Sequence, residues 1–165
     1  YGVSLAVEHL VARGRKNIYY IKDRDTDSAK AKRDGFLEAM RRNGLEFADH
    51  VLEAGETLED AVNATQALLT QGIVPDGIVC GEDLTAAGAL KALLRAGLRV
   101  PEQAAVVGFN NSDYAHLCEP VLTSVDNKPE QVALLCVQLL ESSIERSELY
   151  SSVVLQPELA QGETS

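Results

Sequence analysis

The sequence predicts an α/β fold: a three-layer sandwich in which helices cover both faces of a mainly parallel sheet. Short apolar, β-rich runs alternate four times with helical patterns between residues 3 and 109. This alternation is typical of parallel sheets, because each crossover helix packs back onto the sheet. The chain has 165 residues, of which 45% are apolar, and this is enough for one globular domain with a true core.

The first eight elements follow from periodicity and from helix-ending residues. Thr57 is expected to cap the third helix, because its hydroxyl can accept a backbone N–H and Asp60 follows three residues later. Asp83 is expected to cap the fourth helix. Glycines mark the helix ends. In chain order we predict a helix over 3–11, a strand over 17–21, a helix over 27–43, a weak strand at 51–52, a helix over 57–72, a strand over 77–80, a helix over 83–97 and a strand over 104–109.

The pattern changes after residue 109. A polar turn over 110–113 is followed by an extended run over 121–125 and by a helix from Pro129 to Glu145. A β-like tail is predicted over 152–155, and we expect the last five residues to fray.

The fourth helix is apolar around most of its circumference. From Leu84 to Leu94 only Lys91, with Arg95 beyond it, forms a narrow polar stripe. Because a sheet can cover only one face of a helix, we expect a second surface to cover the other, and a subunit interface is the favoured interpretation. The alternative is that the alanine-rich face simply tolerates water.

Four loops that follow the predicted strands are rich in carboxylates and amides. Ligands of parallel α/β sheets bind beyond the carboxyl ends of the strands, and Asn and Asp side chains suit the hydroxyl pairs of a sugar or nucleoside. Ordinary turn and cap chemistry is the alternative for any single residue. These loops are Lys22–Asp25, Glu53–Glu56, Gly81–Asp83 and Asn110–Asp113.

Several classes of function receive no support. The net charge is −10 and no basic face for nucleic acid is visible, and no run of about 18 apolar residues predicts a membrane span. The motifs of phosphate loops, nucleophile elbows and zinc sites do not occur, so we expect no enzyme, cofactor or metal. His9, in a helix, His50, at a strand start, and His116, in a loop, are expected to be surface or packing residues. The three cysteines have no CxxC pairing and suit reduced thiols in a cytoplasmic protein.

Five segments carry a family pattern: residues 2–21, 29–45, 72–113, 119–132 and 155–165. In this order they resemble the effector-binding domain of lactose-repressor-type (LacI/GalR) transcription regulators. The resemblance implies a periplasmic-binding-protein-like fold, in which two subdomains clamp a small-molecule effector. Residues 1–120 would form the C-terminal subdomain, and 121–165 the return segment to a truncated N-terminal subdomain. DNA would be contacted only through an N-terminal domain absent from this sequence, which opens without Met and which we interpret as a fragment.

The resemblance also assigns effector-binding residues, several of which depart from the family pattern. Lys32 replaces the arginine ahead of Gly-Phe, Glu82 replaces an asparagine, and Asn110 replaces an aspartate; Glu56 falls near a position that is often aromatic, and Asn127 lies in the return segment. Lysine cannot offer the two-pronged contact of arginine to neighbouring hydroxyls. We therefore expect an effector other than a common hexose, with an amine-bearing metabolite facing Glu82 as one candidate. A degenerate pocket without an effector is the alternative.

By the same resemblance the protein is expected to be a homodimer. Half of the clamp is missing from the chain, so apolar surface around Leu122, Val132 and Leu135 is also expected to lack its usual partner. The predicted dimer interface comprises Leu84, Ala87, Leu90, Lys91, Leu94 and Leu117.

A soluble sugar-binding component of a transport system shares this fold and is the alternative function. The Pro157-Glu158-Leu159 ending, the unpaired cysteines and the dimer-like helix favour the regulator. An α/β enzyme of flavodoxin-like shape is a more remote alternative, because no catalytic set is present.

Overall fold

A six-stranded sheet runs through the middle of the molecule, in the strand order β2-β1-β3-β4-β5-β6. The structure is a computed structural model that describes residues 1–45, 47–145 and 152–165. The first five strands are parallel, and β6 runs antiparallel to β5. The elements are α1 (Gly2–Ala12), β1 (Ile18–Lys22), α2 (Asp27–Arg42), β2 (Val51–Glu53), α3 (Leu58–Thr70), β3 (Gly77–Cys80), α4 (Asp83–Arg95), β4 (Ala105–Phe109), α5 (Asp113–Leu117), β5 (Thr123–Asp126), α6 (Pro129–Glu145) and β6 (Glu158–Ala160).

Two apolar cores, one on each face of the sheet, confirm the predicted three layers. On one face α1 and α2 pack Leu10 and Phe36 against Tyr20. On the other face α4 packs Leu93 against Ile78, with α3 alongside α4. The central strands β1, β3 and β4 are buried along their whole length, as expected for strands covered on both faces.

Helix starts and ends follow the predicted chemistry at most positions. The glycines after the first four helices all have positive φ, between 66° and 83°, a conformation that costs glycine no steric clash. At the start of α3 the Thr57 hydroxyl accepts the Asp60 N–H, and the Asp60 carboxylate accepts the Thr57 N–H, which confirms the predicted cap.

Two predictions near the fourth helix are wrong. Asp83 does not cap α4: Glu82 holds the N-cap position, and the Asp83 carboxylate bonds to residues outside the helix. The run after Asn110 contains the short helix α5, so His116 lies in a helix and not in a loop. A helix of five residues is too short to produce a periodic apolar pattern.

The C-terminal end differs from its prediction in two ways. The strand after α6 lies at Glu158–Ala160, and the predicted segment 152–155 is not a strand. The last residues do not fray: Thr164 is fully buried, and its hydroxyl donates to the Val106 carbonyl at 2.6 Å and accepts the Thr123 N–H at 2.9 Å. A backbone bond from Val106 N–H to the Thr164 carbonyl, at 2.8 Å, completes the anchor.

Helix α6 presents much of its apolar surface to solvent. Val132 is exposed, as predicted, and Leu134, Leu140 and Ile144 are also exposed, whereas Leu122 is buried in the second core. Strands β5 and β6, which flank this helix in the chain, lie in the same sheet as β1–β4. The division at residue 120 stays a prediction. None of the described helices is long and apolar enough to cross a bilayer.

Replacing Thr164 by valine should lower the free energy of unfolding by about 2 kcal/mol, because the Val106 carbonyl and the Thr123 N–H would lose a buried partner. Denaturant unfolding followed by circular dichroism measures the change. Thr70→Val is the matched control, since the Thr70 hydroxyl is exposed and bonds only within its own helix. Equal stability of the two variants would contradict the anchoring role of Thr164.

Candidate functional site

A cavity of about 440 Å³ opens at the carboxyl ends of β3 and β4, beside the first turns of α2. Two of the four predicted loops, those after β3 and β4, contribute to its wall. Ligands of parallel α/β sheets bind at such a position. The cavity is lined by Tyr1, Gly2, Val3, Ser28, Ala31, Lys32, Gly35, Glu82, Phe109, Asn110 and Asn127.

Four of the five predicted effector-binding residues meet in this cavity as a chain of polar contacts. Lys32 Nζ lies 3.2 Å from Glu82 Oε1. The Asn110 amide donates to Glu82 Oε2, and the Asn127 amide donates to Asn110 Oδ1 at 2.9 Å. Residues from α2, from the start of α4, from the end of β4 and from the segment after β5 are thereby joined on one wall.

The lysine has two further partners. Its ammonium donates to the Gly81 carbonyl at 2.7 Å and lies 4.1 Å from the centre of the Phe109 ring. An ammonium above an aromatic face is attracted by the negative charge of the ring's π face. Lys32 is therefore fixed against the cavity wall by three groups of different kinds.

The fifth predicted residue, Glu56, is not among the residues that line the cavity. Its carboxylate lies 3.7 Å from Arg24 Nε and is largely exposed. Lys22 forms a similar pair with Glu53 at 3.0 Å, and this hydrogen bond raises the pKa of Lys22. The loops after β1 and β2 thus form a separate group of ion pairs, and the role of Glu56 stays a prediction.

The backbone after β4 takes an uncommon conformation that aims Asn110 at Glu82. The φ angles of Asn110 and Asn111 are +99° and +52°, in the region that asparagine tolerates better than most non-glycine residues. The Asn110 N–H donates to the Val125 carbonyl at 2.8 Å, and the Asn111 N–H donates to Ser124 Oγ at 3.0 Å. Both bonds tie this turn to β5.

Sequence reasoning missed the residue that holds these parts together. The Asp83 carboxylate is buried and accepts three hydrogen bonds, from the Ser112 N–H at 2.7 Å, from Ser112 Oγ at 2.8 Å and from Ser124 Oγ at 2.6 Å. It joins α4 to the turn after β4 and to β5. In the sequence it looks like an ordinary cap, and no local signal links it to serines about 30 and 40 positions away.

The site contains amides, one ion pair and an aromatic ring, which suit recognition of a polar molecule. Among the described residues, no group of three or more His, Cys, Asp or Glu side chains is placed to hold a metal ion. The histidines lie elsewhere: His50 stacks on Tyr19, and His116 is exposed on α5. His9 Nε2 accepts the Arg13 Nε–H at 3.0 Å, and burial, with the Arg13 charge, lowers the pKa of His9.

A second concavity, of about 490 Å³, runs along the outer face of α4. It includes four of the six predicted interface residues: Ala87, Leu90, Lys91 and Leu94. The side chain of Leu94 is 41% exposed, which is unusual for a leucine in an otherwise buried helix. The remaining two, Leu84 and Leu117, lie outside its lining; Leu84 is half-buried and Leu117 is 80% exposed on α5.

Residues 7–165 match the family model of the periplasmic binding protein-like domain. Over 96% of its length the chain is 32% identical to the HTH-type transcriptional repressor PurR of Pasteurella multocida, of which it covers 48%. It is also 32% identical to the ribose operon repressor of Halalkalibacterium halodurans, over 90% of this chain and 44% of that protein. The chain thus spans about half the length of these curated relatives.

Solved structures give the same result for the fold. The lac repressor dimer bound to operator and the anti-inducer ONPF superimposes with a TM-score of 0.90 at 25% identity, over 99% of this chain and 57% of that one. The complex of the transcriptional regulator CelR with cellobiose gives a TM-score of 0.88 at 29% identity, over 99% of this chain and 51% of that one. The predicted resemblance is confirmed.

Asp83→Ala should lower the free energy of unfolding by about 3 kcal/mol, because one buried donor and two part-buried donors would lose a buried acceptor. Thermal and urea unfolding measure the loss. Asp113→Ala is the control. Asp113 directly follows Ser112 in the chain but is exposed, so we expect its substitution to change the free energy of unfolding by no more than about 0.5 kcal/mol. A loss at Asp83 no greater than that at Asp113 would show that the three bonds contribute no net stability.

Proposed function

Since this chain belongs to the periplasmic binding protein-like domain family and covers the effector-binding region of LacI-type regulators, we propose that it is the effector-sensing and dimerisation portion of such a transcription regulator. The cavity that joins Lys32, Glu82, Asn110 and Asn127 is the observation that carries the proposal. Its ligand is a small polar molecule. Residues 1–120, with β5 and β6 added to their sheet, act as the C-terminal subdomain. The rest of 121–165 returns to the N-terminal subdomain, against which the exposed face of α6 packs.

In the whole protein, effector binding shifts the affinity of a DNA-binding head for its operator. Such a shift requires the effector to bind two states of the clamp with different affinity. DNA is contacted through the head, outside this chain, and the protein works in the cytoplasm. A transport-system binding protein has less support, because the matched relatives are named as repressors and regulators. The same names support a sensor that is not an enzyme.

The outer face of α4 is the proposed homodimer interface. Leu90 and Leu94 lie on this apolar face, Lys91 and Arg95 border it, and the lac repressor, which has the same fold, has been solved as a dimer. Leu90 is already buried within the protomer, and pairing two copies here would also cover the exposed Leu94, which would explain why α4 is apolar on both sides.

A thermal-shift screen of the full-length protein against sugars, polyols, nucleosides and amino acids tests the effector proposal. A ligand that binds only the native state raises the melting temperature. For a compound that does so, Asn110→Ala and Asn127→Ala should each weaken binding about tenfold, because each removes a polar contact of roughly 1.4 kcal/mol. Asn63→Ala, on the exposed face of α3, should leave affinity unchanged. A ligand whose affinity is unchanged by both cavity substitutions binds elsewhere. A screen in which no compound raises the melting temperature would contradict an effector-sensing function.

Leu94→Glu should convert the dimer into a monomer, because closing the interface would take a charged side chain out of water, a cost that contacts with Lys91 or Arg95 at the border offset only in part. We expect a loss of at least about 3 kcal/mol, or more than a hundredfold in dissociation constant. Sedimentation velocity over a concentration series measures this. Val74→Glu is the control, since Val74 is 50% exposed and lies outside α4. A wild-type monomer, or a Leu94→Glu dimer of undiminished affinity, would refute this interface.

A further inference from the structure

The charges in the effector cavity are already paired with each other. Among the described residues that line the cavity, Lys32 supplies the one positive and Glu82 the one negative side chain, and the other side chains are uncharged. Their charged atoms are 3.2 Å apart, and the side chains are only 16% and 28% exposed. At that separation, in a partly buried site, each charge is largely neutralised by the other.

Neither member of the pair is left facing the cavity alone. The Lys32 ammonium is also bound by the Gly81 carbonyl and the Phe109 ring. Both carboxylate oxygens of Glu82 are occupied, one by Lys32 and the other by the Asn110 amide. A ligand carboxylate or phosphate would have to compete with Glu82 for the lysine, and a ligand amine would have to compete with the lysine for Glu82.

Displacing either partner leaves a partly buried charge without its counter-ion. The ligand's own charge must also be desolvated, and neither cost is offset by a new counter-charge in the cavity. An uncharged ligand meets neither cost and can form hydrogen bonds with the amides and with Ser28. The amine-bearing effector considered from the sequence alone loses its support, because the Glu82 carboxylate that would have received the amine already holds Lys32.

We propose that the Lys32–Glu82 pair makes this cavity selective for an uncharged polar effector and excludes anionic and cationic analogues. The proposal rests on the effector-sensing function proposed above. In this proposal the pair determines specificity, because each residue neutralises the charge of the other.

The first test uses inorganic phosphate as a probe and does not depend on knowing the effector. Glu82→Gln in the full-length protein removes the counter-charge and leaves the Lys32 ammonium available to an anion. We expect phosphate to bind this variant at least about tenfold more tightly than it binds wild type, measured by calorimetry. The double variant Lys32→Met/Glu82→Gln should lose that gain, and Glu102→Gln, an exposed acid outside the cavity, should not produce it.

A second variant covers the case in which Glu82→Gln fails to fold, as judged by circular dichroism. Lys32→Met leaves the Glu82 carboxylate without its ammonium, so glucosamine should bind it at least about tenfold more tightly than glucose does. The proposal would be overturned if wild type bound phosphate. It would also be overturned if folded Glu82→Gln bound phosphate no more tightly than wild type does, or if folded Lys32→Met bound glucosamine no more tightly than glucose.

The third test compares sugars that share one scaffold but differ in charge, such as glucose, glucuronate and glucosamine, together with ribose and cellobiose. Wild type should bind only uncharged members. Binding of a charged member as tightly as its neutral counterpart would overturn the selectivity while leaving the effector-sensing function intact. No binding by any compound of this series or of the wider screen would count against the effector-sensing function, and the phosphate experiment would still decide whether the pair masks its charges.

Discussion

The buried carboxylate of Asp83 is the constraint on which the geometry of the site depends. It sits at the first residue of α4 and accepts hydrogen bonds from the turn after β4 and from β5. Without it the start of α4 and that turn would be joined mainly through Glu82 and Asn110, whose contact is partly exposed. A charged acceptor that satisfies three donors is among the stronger polar arrangements in a protein interior. These three hydrogen bonds hold in place the residues behind the cavity wall, and this limits the movement of the wall itself.

Much of the fold was predictable because its causes are local. Glycines with positive φ end four helices, a capping box starts α3, and continuous apolar runs mark strands covered on both faces. The elements that were missed depend on distant partners. Residues 158–160 form a strand because the free edge of β5 accepts them, and Thr164 is ordered because Val106 and Thr123 bind it. Nothing in the local sequence of the tail encodes those partners.

The candidate site shows the same division between local and distant causes. The loops that hold Glu82 and Asn110 meet because parallel strands place their carboxyl ends on the same side of the sheet, whereas Lys32 on α2 and Asn127 were expected in the site only through the family resemblance. Glu56 lies elsewhere because strand order, which the sequence does not state, places β2 at the far edge of the sheet. Three strand spacings separate β2 from β4, a distance of roughly 14 Å. The sequence also did not predict the pairing of Lys32 with Glu82, and this pairing changes the expected ligand from an amine-bearing molecule to an uncharged one.

The Lys32–Glu82 contact also has a consequence for how such a pocket can change over evolutionary time. The two residues lie 50 positions apart, one on α2 and the other at the N-cap of α4, yet neither can be replaced by an uncharged residue alone without leaving an uncompensated charge beside the ligand. A route from this pocket to the family pattern keeps a positive side chain at position 32 and moves the carboxylate from position 82 to position 110. It therefore passes through an intermediate with altered charge, unless the codons of Glu82 and Asn110 change together. A protein that shares only one of these positions with this chain should not be assumed to share its ligand.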